Sequence, residues 1–170
     1  ASKKLRSDKE IVLAAVKNEG SALEHASDEL SADEDVVLEA IKDKVREINT
    51  TSHEGDALAY ASEEFRANKK IVLEAIKCFG SALEFASEEL KADKEIVMEA
   101  VKSYGKALEF ASEELKADKE IVLAAVKNMD KTSRKALEYA SEELKLDKEV
   151  VLAAVSKDGL SQYSYCIKHA

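Results

Sequence analysis

Residues 93–117 read DKEIVMEAVKSYGKALEFASEELKA, and the same pattern begins again at residue 118 with DKEIVLAAVK. This opening occurs six times, at starts that lie 25, 35, 25, 25 and 29 residues apart: Asp8, Asp33, Asn68, Asp93, Asp118 and Asp147. A fixed period of this length is typical of proteins built from stacked structural repeats. We therefore predict a single repeat array over residues 1–170 with helix-A starts near residues 8, 33, 68, 93, 118 and 147.

Each repeat is predicted to contain two helices, A and B. The opening Asp or Asn is suited to cap helix A, because its side chain can accept hydrogen bonds from the free N–H groups of the first turn. Helix A is expected to end at a glycine in the left-handed conformation, at Gly20, Gly80 and Gly105. Helix B should then run unbroken to the next opening residue, starting with a capping box at Ser21…Glu24 and Ser81…Glu84.

Composition and apolar spacing both favour helices. The chain contains no proline, and its apolar residues recur at helical spacing. In the repeat at Asp93 the predicted core residues are Ile96, Val97, Met98 and Val101 of helix A, with Ala107, Leu108, Ala111 and Leu115 of helix B. A lone pair of short helices buries too little apolar surface to be stable, so the units should stack. The predicted fold class is all-α, a helix–turn–helix repeat solenoid (an α/α superhelix).

The unit A-L-x-[FY]-A-S-E-E-L-K-x-D-K-E-[IV]-V-L-x-A-V-K resembles a family of short tandem helical repeats known as a domain of unknown function in microbial and algal proteins. The resemblance covers nearly the whole chain. It implies a helical repeat fold, and it brings no catalytic residues to carry over.

Charge and composition exclude several classes of partner. The net charge of −9 disfavours nucleic acid, because a phosphate backbone repels an acidic surface. No apolar run is long enough to span a membrane. Cys78 and Cys166 give neither a disulfide framework nor metal-ligand spacing, which favours the cytoplasm. The chain lacks an initiator Met and begins within a partial helix B, so a processed or secreted product, or a fragment of a longer array, is the other expectation.

We predict no catalytic residue, no metal site and no cofactor. Ser27, Ser62, Ser87, Ser112 and Ser141 recur at one position of the repeat. A nucleophile needs a unique base and oxyanion site, so we expect these serines to be structural, each bonding its i−4 carbonyl at a helix crossing. Paired glutamates such as Glu113 and Glu114 point about 100° apart on a helix. We expect them to form a solvated face with lysine partners.

A row of rings follows helix B at one repeat position: His25, Tyr60, Phe85, Phe110 and Tyr139. These rings are expected either to pack between successive repeats or to form a recognition stripe for a partner. The sequence leaves both interpretations open.

The repeat pattern breaks at residues 43–56, at residues 129–134 and after Lys157, where residues 158–170 resemble a degenerate C-terminal cap. All three breaks fall at the junction between helices A and B, which predicts one variable edge. Surface loops on a rigid scaffold are where binding residues gather. The candidate partner-contact residues on this edge are Ile48, His53, Glu54, Lys131 and Arg134.

The first functional hypothesis is a non-enzymatic structural or protein-interaction repeat module, a fragment or subunit of a larger scaffold or complex, that binds a protein partner or a second copy of itself. One alternative is a small ligand-binding or enzymatic domain on the insert-bearing edge, with His53 beside Glu54 or Asp56. Another is a secreted surface repeat, for which the sequon at Asn49-Thr50-Thr51 would carry a glycan.

Overall fold

A computed structural model of the chain describes residues 2–42, 57–128 and 133–155. All regular secondary structure in these ranges is helical, which confirms the predicted all-α repeat fold. The chain forms two compact units: residues 1–78 with 85–87, and residues 79–84 with 88–170. No helix within the described ranges is long and apolar enough to cross a membrane.

Helix A is present in every repeat and begins one residue after the predicted capping residue. The helices A are Lys9–Asn18, Glu34–Ile41, Lys69–Cys78, Lys94–Ser103, Lys119–Lys127 and Lys148–Val155. The Asp93 carboxylate accepts hydrogen bonds from the backbone N–H groups of Glu95, at 2.9 Å, and Ile96, at 3.2 Å. The other five opening residues accept the same two bonds. The predicted N-caps are confirmed.

The prediction of one continuous helix B is wrong. In its place lies a 3₁₀ helix, then two extended residues, then a single α-helical turn that we call the short helix. The 3₁₀ helices are Gly20–His25, Gly80–Phe85, Gly105–Phe110 and Ser133–Tyr139, and the α-helix Ala57–Tyr60 takes the same place in the second repeat. The short helices are Lys3–Arg6, Asp28–Ser31, Glu63–Arg66, Glu88–Lys91, Glu113–Lys116 and Glu142–Lys145.

Helix B breaks at the repeated serine, and Ser62, Ser112 and Ser141 each cap the short helix that follows, whereas Ser27 makes no such side-chain bond. Ser112 is extended, with φ −60° and ψ 156°, and its Oγ accepts a hydrogen bond from the backbone N–H of Leu115 at 3.4 Å. Glu113 and Glu114 follow in the first turn, where carboxylates complement the helix dipole. The serine is therefore structural, but it accepts from the helix that it starts instead of donating to an i−4 carbonyl.

The expectations for the glycines and the capping boxes are also wrong. Helix A ends at an extended residue, such as Tyr104 with φ −148° and ψ 103°, and the glycine then opens the 3₁₀ helix. Gly80 is needed for a close approach, because a Cβ there would lie 2.7 Å from the carbonyl oxygen of Ala100. Ser21 and Ser81 lie inside 3₁₀ helices, and the Ser21 hydroxyl donates to the Glu19 carboxylate at 2.7 Å.

The predicted apolar faces form the core. Ile96, Val97 and Val101 of helix A are fully buried, Met98 is partly buried, and the four predicted residues of helix B, Ala107, Leu108, Ala111 and Leu115, are buried. In the first unit helix Lys9–Asn18 contacts helix Glu34–Ile41, which in turn contacts helix Lys69–Cys78. In the second unit helix Lys119–Lys127 contacts the helices A on both sides of it. The predicted cap at residues 158–170 lies outside the described residues.

Candidate interaction surface and repeat junctions

The candidate partner-contact residues fall mostly outside the described ranges. Ile48, His53 and Glu54 belong to residues 43–56, and Lys131 belongs to residues 129–132. Arg134 lies within the 3₁₀ helix Ser133–Tyr139, but its side chain is outside the description. Their proposed role on the insert-bearing edge stays a prediction.

The structure does describe where each insert leaves and rejoins the repeat frame. The first follows helix Glu34–Ile41, and the chain resumes with Ala57 and Leu58 buried in the same repeat position as Ala107 and Leu108. The second follows Asn128, and the chain resumes with the buried pair Ala136 and Leu137. Both inserts therefore interrupt the repeat at one place, between helix A and the element that follows it, and the core register is kept on either side.

The ring-bearing positions lie on elements that neighbour one another within each unit. The element carrying His25 contacts the element carrying Tyr60, and the 3₁₀ helix carrying Phe110 contacts the one carrying Tyr139. Tyr60, Phe85, Phe110 and Tyr139 are partly buried and His25 is exposed. These positions agree with packing between repeats. The role of the row as a recognition stripe stays a prediction.

Tyr139 gives the packing interpretation its most detailed support. The Nζ of Lys106, in the preceding repeat, lies 5.9 Å from the centroid of the Tyr139 ring. Lys106 also forms an ion pair with Glu109 at 2.9 Å. Burial raises the pKa of the Tyr139 hydroxyl, and the Glu109 carboxylate raises it further. The ring thus lies against a charged pair of the neighbouring repeat, which leaves only part of it accessible.

A lysine at the first position of helix A links consecutive repeats, and sequence reasoning missed it. Lys94 Nζ lies 2.8 Å from the capping carboxylate of Asp118 and 2.8 Å from Glu120, both in the next repeat. The same arrangement joins Lys9 to Asp33 and Asp35, at 2.8 and 3.1 Å, and Lys119 to Asp147 and Glu149, both at 2.9 Å. We call this arrangement the lysine bridge.

The second repeat carries a charge-reversed version of the lysine bridge. Glu34 stands where the other repeats have lysine, and the next repeat has Asn68 and Lys70 where the others have two carboxylates. The Glu34 carboxylate lies 3.8 Å from the Lys70 ammonium. This exchange of acidic and basic residues between the two sides of one junction is visible in the sequence. It is the signal from which the lysine bridge can be predicted.

The lysine bridges perturb the protonation equilibria of their members. Hydrogen bonds to Asp118 and Glu120 raise the pKa of Lys94 to about 12. The bond from Lys94 lowers the pKa of Asp118, and the backbone N–H groups of the cap lower it further against the opposing effect of burial. Asp33 and Asp147 have lowered pKa values for the same first cause, the bond from the bridging lysine. Asp33, Asp118 and Asp147 thus each cap their own helix and bind the preceding repeat.

A second link between repeats runs through the backbone of the repeated serine. The Ser112 N–H donates to the carbonyl oxygen of Lys91 in the preceding repeat, at 2.9 Å. The equivalent bonds join Ser27 to Arg6, Ser62 to Ser31, Ser87 to Arg66 and Ser141 to Lys116, at 2.9 to 3.1 Å. The extended conformation of the serine exposes this N–H, so the break in helix B serves to connect the repeats.

Two smaller features complete the junctions. The Asn128 side-chain amide donates to the carbonyl oxygens of Val101 and Lys102, both at 2.8 Å, at the end of the preceding helix A. On the short helices Glu88, Glu113 and Glu142 pair with Lys91, Lys116 and Lys145, at 2.7 to 2.8 Å. The predicted solvated glutamate face with lysine partners is confirmed. In the described part of the chain no three His, Cys, Asp or Glu residues are grouped so that they could hold a metal ion.

These junctions define an all-α protein of tandem repeats, each tied to the next by a serine N–H and, at most described junctions, by a lysine bridge. The family model described as "Domain of unknown function (DUF4116)" matches residues 1–31, 8–66, 33–91, 68–116, 93–130 and 118–170. The chain belongs to this family. Comparison with curated proteins and with solved structures gave no significant match.

Proposed function

We propose that the chain is a non-enzymatic protein-interaction module whose helical repeats hold the inserts at residues 43–56 and 129–134 for contact with a partner protein. The observation that carries this proposal is the preserved register around both inserts. Leu58 and Leu137 return to the core position that Leu108 occupies in an uninterrupted repeat. A frame that accepts different lengths at one junction can present variable loops without loss of its own packing.

The use of the repeated polar residues supports a structural role over a catalytic one. Ser112 caps its short helix and donates its N–H to the preceding repeat. The opening aspartate caps helix A and receives the bridging lysine. Because these side chains stabilise the repeat array, the residues available to bind a partner are those that lie outside the repeat pattern.

The test is to replace residues 43–56 and 129–134 with the short Ser103-Tyr104-Gly105 type of turn and to compare binding. Partners would be identified by chemical cross-linking of the full chain in an extract of its source, followed by mass spectrometry. Each purified partner would then be titrated with both forms by calorimetry. We expect unchanged helicity by circular dichroism and a loss of affinity of at least about tenfold, the effect of losing ~1.4 kcal/mol of contact energy.

Lys102→Glu serves as the control for this experiment, because Lys102 is exposed and belongs to the repeat pattern. This variant should bind as the original chain does. If the form without inserts binds its partner with undiminished affinity, the edge is only a tolerated irregularity. The row formed by Tyr60, Phe85, Phe110 and Tyr139 then becomes the better candidate for the binding surface.

A further inference from the structure

Two of the links between consecutive repeats are alike along the chain. Helix A has Ile or Val at its third, fourth and eighth positions in every repeat. The repeated serine donates its N–H to the preceding repeat at Ser27, Ser62, Ser87, Ser112 and Ser141. Neither link distinguishes one repeat from another, so a repeat could pair with a wrong neighbour while the chain folds. Such mispairing is a characteristic failure of repeat proteins.

The lysine bridge, by contrast, differs between junctions in the sign of its charges. Lys9 lies 2.8 Å from Asp33 and 3.1 Å from Asp35, so the first two repeats join through one basic residue and two acidic ones. The second and third repeats join through Glu34 and Lys70, which are 3.8 Å apart. This junction therefore carries charges that the other described bridges do not share.

Wrong pairings that involve the reversed junction bring like charges together. If the first repeat paired with the third, Lys9 would face Lys70 in place of an acidic residue. If the second repeat paired with the fourth, Glu34 would face Asp93 and Glu95. Like charges in contact suppress a wrong partner even where the correct ion pair adds little stability. The reversal thus penalises both ways of skipping one repeat at this place.

The reversal also lies where proximity along the chain favours the correct neighbour least. Asp33 and Asn68 start the second and third repeats and are 35 residues apart, because the insert at residues 43–56 lies between them. Uninterrupted repeats start 25 residues apart. The entropy cost of bringing two segments together grows with the length of chain between them. The junction with the longest connection is therefore the one with distinct charges.

We propose that the reversed charges of Glu34 and Lys70 select the pairing of the second repeat with the third during folding, against pairing with repeats of the common charge type. The array then assembles in one order although its apolar faces are interchangeable. This role concerns the assembly of the chain itself, so it does not depend on the partner proposed for the inserts.

A chain with uniform junctions tests this role. Glu34→Lys, Asn68→Asp and Lys70→Glu together convert the reversed junction to the common type. The uniform variant should fold, because Asp118 caps its helix and binds Lys94 in this same arrangement. The three changes, of +2, −1 and −2, lower the net charge by one. Lys102→Gln, at an exposed position of the repeat pattern, lowers it equally and is the matched control.

Spin labels report which helices A are neighbours. They are attached at Lys17→Cys and Lys77→Cys, exposed positions on the first and third helices A, with Cys78→Ser and Cys166→Ser in every form. Helix Glu34–Ile41 contacts both labelled helices, so in the correct order the labels lie two helix spacings apart, about 16–20 Å. Direct pairing of the first and third repeats would halve this separation and broaden the spectrum. Spectra are recorded directly after dilution from urea, with an excess of unlabelled chain to remove broadening between chains.

The original chain and Lys102→Gln should refold with little broadening. The uniform variant should show a broadened fraction at least about fivefold larger, because charge then no longer separates the correct neighbour from the wrong one. Refolding the original chain in roughly 1 M salt should also increase this fraction, since salt screens exposed charges. Equal broadened fractions in the original chain and the uniform variant, or none in either, would overturn the proposal. A fraction in the original chain that salt leaves unchanged would do the same.

Discussion

The repeats that begin at Asp8 and Asp93 have similar sequences but different surroundings. Their capping bonds are alike: the opening carboxylate bonds the second and third residues of helix A at 3.1 and 3.3 Å in one, and at 2.9 and 3.2 Å in the other. Their burial differs, since Ile96 is fully buried and Ile11 is 44% exposed. Local structure in this chain thus follows from the repeat itself, whereas burial depends on the neighbouring repeat.

This comparison predicts that the same substitution has very different costs in the two repeats. Ile96→Asp should destabilise the fold by about 4 kcal/mol or more, because it removes a buried side chain and leaves an unpaired charge in the core. Ile11→Asp should cost less than about 1 kcal/mol, because its side chain already reaches solvent. Both residues are third in their helix, so the new carboxylate interacts with the helix dipole to the same extent in the two variants. Thermal and urea unfolding followed by circular dichroism measure the difference.

Comparable losses of stability in the two variants would contradict this view. They would mean that the first repeat is held by contacts other than the helix-A face.

The next effect in size concerns the close approach of Gly80 to the neighbouring repeat. Gly80→Ala should destabilise the fold by about 1–3 kcal/mol, because the new Cβ would lie 2.7 Å from the Ala100 carbonyl oxygen and 2.9 Å from the Tyr104 nitrogen. Both atoms belong to the backbone and cannot rotate away. Ser81→Ala, one residue further along and only partly buried, is the control and should change stability by less than about 0.5 kcal/mol. A Gly80 variant as stable as the original would show that the two repeats can separate there without cost.

The features that sequence reasoning predicted are those encoded within a few residues. The caps at Asp93 and its equivalents, and the apolar face containing Ile96 and Val101, depend on spacing along one helix. The break in helix B was also encoded locally, because a serine followed by two glutamates is itself a start signal for a helix. At Ser112 this local signal prevails over the longer helical pattern that predicts a continuous helix B.

The features that sequence reasoning missed depend on atoms from two repeats. The bond from the Ser112 N–H to the Lys91 carbonyl and the bridge from Lys94 to Asp118 join residues more than 20 positions apart. The local sequence at Gly80 predicts a left-handed turn, whereas the contact that excludes a side chain there, with Ala100, comes from the next repeat. The only sign of such a contact in the sequence is the reversed pair of charges, Glu34 in one repeat and Lys70 in the next.

The smallest expected effect is the pH dependence of the lysine bridge between Lys94 and Asp118. It distinguishes the two roles of Asp118, which caps its own helix and pairs with a lysine of the preceding repeat. Asp118→Asn should keep the cap, because Asn68 already makes both capping bonds in this chain, and should lose part of the bond to Lys94. The loss at neutral pH should be smaller than that of Gly80→Ala, because solvent screens an exposed ion pair.

Acid should remove this difference between Asp118→Asn and the original chain. The folded state lowers the pKa of Asp118 below its ordinary value of 3.8, chiefly through the bond from Lys94, so the unfolded chain binds the proton more readily. The bridge therefore contributes its stability above about pH 4, and the contribution is lost as the pH falls through the folded pKa. At the alkaline end the pKa of Lys94, raised to about 12, implies a loss as the pH rises from the ordinary value of 10.5 through 12. Melting temperatures of both forms between neutral and acid pH should converge. Curves that stay parallel would mean that Asp118 acts only as a cap, and that apolar burial and the serine N–H bonds hold consecutive repeats together without the lysine bridge.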